Sequence, residues 1–144
     1  MTAAAAFHAT AALLALALGA RQLARRKAGP GHRAAGYAWV LAMLATAISS
    51  FWLKSPLGLA WLGGFSPIHG LSLFTILALV MALRHAILRE FDRHRRWVAG
   101  AYAGLAGAGV FAVASPGRAM HELLFVSLPR LLSGGWDHLA GLAG

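Results

Sequence analysis

A chain of 144 residues with 59% hydrophobic and 12% charged residues has too little charge to cover a soluble globule of its size. The absence of cysteine excludes a disulfide framework, a thiolate metal site and a cysteine nucleophile. A formal charge of +9 would suit nucleic acid, but the basic residues fall in short gaps between apolar runs rather than along a stripe, which excludes nucleic acid as a partner.

The first apolar run, 3–20, is near the roughly 20 residues that a helix needs to cross a bilayer. It is rich in alanine and leucine and shows no alternation, so a helix is predicted rather than a strand. The basic residues Arg21, Arg25, Arg26 and Lys27 follow it and none precedes it. A cleavable secretory signal has the opposite order, so the run reads as a retained span with its N-terminus outside; cleavage is the alternative. His8 lies within it, and helical spacing puts Ala11, Ala12, Ala15 and Gly19 on its face.

The second run, 34–53, follows the pair His32-Arg33. It ends at Ser49 and Ser50, and the next connection carries Lys54 as its one basic residue. In "FSPIHG", Ser66 can cap and Pro67 can open a helix, with His69 in its first turn. The third run is 68–88. Around its end stand Arg84, Arg89, Arg93, Arg95 and Arg96, with Glu90 and Asp92; His85 reads as a solvated residue of this connection. His94-Arg95 then precedes the fourth run, 97–115, where Gly100, Gly104 and Gly107 share a packing face. Each run is hydrophobic nearly all round, as spans are. The tail 117–144 is too broken by Pro129, Gly134 and Gly135 to span; "HELLFVSLPRLL" predicts an interfacial helix on the outer face. His121 and His138 read as exposed.

Ten of the thirteen basic residues flank the first and third connections. The positive-inside rule puts those connections in the cytoplasm and both termini outside. Residues 1–116 are therefore expected to form an all-α integral membrane four-helix bundle in contact with the lipid bilayer. The chain also repeats weakly. His8 pairs with His69 and His32 with His94; Leu16-Ala17-Leu18 matches Leu77-Ala78-Leu79; Ala42, Ala45 and Ala47 fall on Gly104, Gly107 and Gly109. Two parallel helical hairpins related by an axis along the membrane normal would give this pattern.

The repeat sets histidines at two depths, His8 and His69 near the outer face and His32 and His94 near the inner one. Two imidazoles facing across a bundle are a ligand set for b-type haem. Arg33 and Arg95 would match haem propionates bidentately. The plain alternative is that the His-Arg pairs anchor helix starts and meet lipid phosphates. Ser49, Ser50, Ser66 and Lys54 form an outer polar cluster suited to a quinone headgroup or a propionate, although serines in membrane helices mostly bond their own backbone. The acidic residues Glu90, Asp92, Glu122 and Asp137 all lie outside the spans, which argues against a hydrolase and against a carboxylate proton relay. A copper or zinc site would be short of ligands.

The segments "HRAAGYAW", "SSFW", "FSPIHGLSL", "HRRWVAGAYAGL" and "PGR", with the histidine early in the first helix, resemble the bacterial family of four-helix membrane proteins catalogued as domain of unknown function 2306. The resemblance covers 8–125 and rests on His8, His32, Arg33, Gly36, Tyr37, His69, His94, Arg95, Trp97 and Arg118. It implies a polytopic inner-membrane protein and no particular activity. The arrangement is also similar, more loosely, to two-haem b-type transmembrane cytochromes, whose ligand pairs come from alternate helices; here the inner histidines are expected at helix boundaries, in or beside the turns. The resulting expectation is a small membrane protein that holds one b-type haem through His8 and His69, with His32 and His94 as the candidate pair for a second or, in the plain reading, as helix anchors. It would pass electrons between quinol or a redox partner protein and an acceptor. The alternative is a non-catalytic membrane subunit or assembly factor, with structural histidines, acting as a homodimer or within a larger complex.

Overall fold

A computed structural model of the chain describes residues 2–24, 29–53, 67–116, 119–130 and 132, with backbone alone at Pro67, Ile68 and Ala119. The expectations for Arg25, Arg26, Lys27, Lys54, Ser66, Arg118, Gly134, Gly135, Asp137 and His138 lie outside the described residues. The helices are α1, Ala3–Ala24; α2, Pro30–Ser49, continued by a 3-10 turn, Ser50–Trp52; α3, Pro67–Ile87; α4, Phe91–Ala114; and a short α5, Ala119–Glu122.

Local chemistry sets the helix ends. Thr2 caps α1 by accepting from the Ala5 N–H at 3.3 Å. Gly29 precedes α2 at φ 89° and ψ 178°, a region open essentially to glycine alone, and Pro30 supplies a preset first helical residue. The end of α3 is a Schellman motif: the Arg89 N–H bonds the Ala86 carbonyl at 3.2 Å and the Glu90 N–H bonds the His85 carbonyl at 2.9 Å. Arg89 holds the left-handed position at φ 59°, where glycine is the usual choice. Asp92 sits in the first turn of α4, favourably placed at the positive end of the helix dipole. With these starts, α2 and α4 begin ahead of the apolar runs at 34 and 97. His32 and His94 consequently lie within the first turns of these helices, at the helix boundaries where they were expected.

Four of the helical segments are long and apolar enough to cross a membrane: Ala3–Ala24, Pro30–Trp52, His69–Ile87 and Phe91–Ala114. Their side chains are arranged inside out by the standards of a water-soluble domain. Ala11, Ala15, Ala42, Ala47, Ala78, Ala82 and Ala101 are buried, while Leu13, Leu14, Leu41, Leu73, Leu77 and Val80 are exposed. Hydrocarbon solvates those leucines as well as a core would, so small residues take the interior and let the backbones approach. The chain is a multi-pass membrane protein.

Packing divides the chain into Met1–Ala106 and Gly107–Gly144. In the first unit, Ala15, Trp39, Met43, Ala78, Leu79, Ala101 and Leu105 form one core drawn from α1, α2, α3 and α4. Among the described residues α1 packs most extensively against α2, and its buried stripe is Ala11, Ala15 and Gly19. A Cβ on Gly19 would stand 2.5 Å from Tyr102 Cδ2 and 2.7 Å from Trp39 Nε1, so the absent side chain is what seats those two rings. Gly104 likewise packs under Leu71, but Gly100 and Gly107 have nothing within 4 Å; of the expected glycine face, Gly104 alone serves packing. The matched Leu-Ala-Leu triplets differ in surroundings, since Ala17 is exposed and Ala78 fully buried. In the second unit, α5 runs on into a π-helical turn, Leu123–Ser127, just before Pro129, which has no N–H to continue an α-helical ladder. His121, expected to be exposed, is half-buried there: its Nδ1–H donates to the Val113 carbonyl at 2.9 Å and its ring lies 5.0 Å from Phe125.

Candidate functional site

Three of the four singled-out histidines share a helix stripe with core residues. By helical spacing His8 falls with Ala15 and Gly19, His32 with Trp39 and Met43, and His94 with Ala101 and Leu105. His69 is 6% exposed.

The C-terminal end of α2 draws His8 and His69 to one end of the bundle. His8 Nδ1 and Ser49 Oγ are 3.0 Å apart. Ser50 Oγ and Ser72 Oγ are 2.7 Å apart, one helical turn from His69. The His69 ring is tilted 43° against Phe51, with centroids 5.6 Å apart. Thr46, Ser49, Ser50, Ser72 and Thr75 make this end a buried layer of hydroxyls. The sequence pointed to Ser49 and Ser50; it did not point to Thr46, Ser72 and Thr75, which become one layer only when α2 meets α3. Thr46, Ser49, Ser50 and Thr75 each donate to a carbonyl of their own helix, as serines and threonines in membrane helices mostly do.

These contacts favour one tautomer. With the Ser49 hydroxyl donating to the Thr46 carbonyl at 3.1 Å, Ser49 accepts from His8; the proton of a neutral His8 ring then sits on Nδ1 and Nε2 carries the lone pair. His94 has the same arrangement at the other end, with Nδ1–H donating to the Ala82 carbonyl of α3 at 2.8 Å. An Nδ1–H held by an oxygen acceptor is the arrangement that orients histidine for ligation through Nε2. His32 differs, since its Nδ1 is buried without a partner, while its backbone carbonyl accepts from Gln22 Nε2 at 3.0 Å. Arg33 and Arg95 are exposed at this same end.

His85 corrects the sequence reading. It is not solvated but 7% exposed, and its Nδ1 lies 2.6 Å from Glu90 Oε2, which Arg93 also reaches at 3.3 Å. The Schellman turn causes this, because it folds Glu90 back over the last turn of α3. The hydrogen bond from His85 holds the Glu90 carboxyl below its ordinary value, and Arg93 adds to the effect. No glycine marks that turn, so nothing in the sequence pattern announced the pair. Among the described residues no group of three or more histidines and carboxylates could hold a metal ion.

Four lipid-exposed helices around an alanine-rich core, with imidazoles and hydroxyls set into that core, define a small polytopic membrane protein. Residues 5–135 match the family model described as "Predicted membrane protein (DUF2306)", and the chain belongs to that family. No curated protein and no solved structure matches it.

Proposed function

We propose that the chain is a redox subunit of the bacterial inner membrane that holds b-type haem through His8 and His69. His32 and His94 would hold a second haem at the opposite end. The observation that carries the reading is the contact of His8 Nδ1 with Ser49 Oγ inside an apolar span: with Ser49 taking the Nδ1–H, Nε2 keeps its lone pair for a ligand. The Nδ1–H of His94 on the Ala82 carbonyl repeats that preparation. Along α3, His69 and Ala82 are about 20 Å apart at 1.5 Å per residue, so the two ends suit electron passage across much of a bilayer. The hydroxyl layer suits a haem propionate or a quinone headgroup, and quinol is the natural donor. The clustering of arginines at the His32 and His94 end favours both termini in the periplasm.

Haem supplies one-electron chemistry when bound; the residues supply ligation, orientation and exclusion of water. The test is the pyridine haemochrome and the reduced-minus-oxidised spectrum of protein purified from membranes. Wild type should carry about one haem or more, and His8→Ala or His69→Ala should lose the outer-site signal. A colourless, folded wild type overturns the reading. Because the chain has no cysteine, single cysteines at Thr2 and Arg89 report topology. Labelling of Thr2→Cys from the periplasm, with Arg89→Cys protected, is the expected pattern.

A second reading has its own support: the same bonds tie helices together, α1 to α2 through His8 and Ser49, and α3 to α4 through His94 and Ala82. A non-catalytic subunit or assembly factor needs no more than that. Under this reading the histidine variants lose stability without any change in spectrum.

A further inference from the structure

We propose that an anionic phospholipid occupies the groove between α3 and α4 at the arginine-rich end. The groove measures about 670 Å³ and is lined at its mouth by Arg84, Arg93 and Arg96 and deeper down by Phe74, Met81 and Gly100. Its polarity runs along its length. From Arg84 to Phe74 is ten residues of helix, about 15 Å at 1.5 Å per residue, which is the hydrocarbon depth of one leaflet, half of a core about 30 Å thick. A ligand matching it has a negative head and an apolar chain of leaflet length, as a phospholipid does.

The charge at the mouth is specific. Glu90 is the one carboxylate of the groove and is taken by His85 and Arg93. Arg84 and Arg96 have no acidic partner among the described residues, and both are exposed. Two guanidiniums are thus left for one phosphate, which they match in planar, bidentate fashion. Basic pockets between membrane helices take anionic headgroups for this reason. Gly100 completes the apolar floor, since no atom stands within 4 Å of where its Cβ would be. The wall is open where an acyl chain would lie.

The experiment is native mass spectrometry of the full chain released from micelles containing equal amounts of phosphatidylglycerol and phosphatidylcholine. Wild type should retain one phosphatidylglycerol in preference to phosphatidylcholine. Arg84→Gln and Arg96→Gln should each cut that retention about fivefold, while Arg21→Gln should leave it unchanged. Gly100→Leu should also cut it, with all charges intact, by filling the floor. Helicity measured on every variant shows that the fold persists; a variant that loses helicity is replaced by Arg84→Lys or Gly100→Val, for which a smaller loss is expected. Equal retention of phosphatidylcholine, an equal effect of Arg21→Gln, or no effect of Gly100→Leu would overturn the proposal. So would displacement of the lipid by millimolar inorganic phosphate, which would mark a site for free anions.

Discussion

Adding one methyl group to the chain should act with opposite sign at two glycines. At Gly19 a new Cβ would lie 2.5 and 2.6 Å from the Tyr102 ring and 2.7 Å from Trp39 Nε1. Carbon atoms pack at about 3.5 Å or more, so the rings must retreat by roughly 1 Å. Neither can do so freely: Trp39 is 3% exposed within the core, and the Tyr102 hydroxyl donates to the Leu16 carbonyl at 3.4 Å. Overpacking of this kind costs about 1–3 kcal/mol, and loss of the hydrogen bond costs about 1 kcal/mol more. The helix propensity of alanine returns at most about 1 kcal/mol. Gly19→Ala should therefore destabilise the protein by about 1–3 kcal/mol. At Gly100, with open space around it, the propensity gain stands alone and Gly100→Ala should be neutral or stabilising by up to about 1 kcal/mol. Unfolding of the full chain by sodium dodecyl sulfate, followed by helicity and tryptophan fluorescence, measures both. A Gly19→Ala protein as stable as wild type, or two variants that shift alike, would refute the packing argument.

Glu90 should give the fold an acid-sensitive component. Its carboxyl is held below the ordinary value of 4.5 by the hydrogen bond from His85 and by Arg93, so its contribution is complete above that value and disappears as the pH falls through the lowered one. Glu90→Gln should flatten the stability profile below about pH 4.5; an unchanged acid limb in that variant counts against the pair. Arg89→Gly should stabilise by up to about 1 kcal/mol, because the left-handed conformation at φ 59° is costly for a residue with a Cβ; a loss of thermal stability would contradict this. Ser49→Ala removes the acceptor that sets the His8 tautomer. If His8 is a haem ligand, haem retention should fall roughly 10- to 100-fold, with a shifted midpoint potential in what remains; an unshifted potential at full occupancy would remove Ser49 from that role.

The spans were legible because a bilayer asks for a length of apolar helix and the chain meets that demand four times. The face that His8 shares with the buried Ala11, Ala15 and Gly19 followed from helical spacing alone. What stayed hidden depends on how helices end and meet. Arg89 occupies a cap position where a glycine would have advertised the turn, so Glu90 could not be placed on His85 from the sequence. Thr46, Ser72 and Thr75 look like scattered helix residues until α2 and α3 come together. The repeat also promised more symmetry than packing delivers: its first hairpin closes tightly because Gly19 admits Trp39 and Tyr102, whereas the groove beside α3 and α4 opens along Gly100. That difference has a physical consequence. Around Gly19 the rings leave no gap, whereas the open side carries Arg84 and Arg96 at its mouth, so two hairpins of similar sequence present the bilayer with different surfaces.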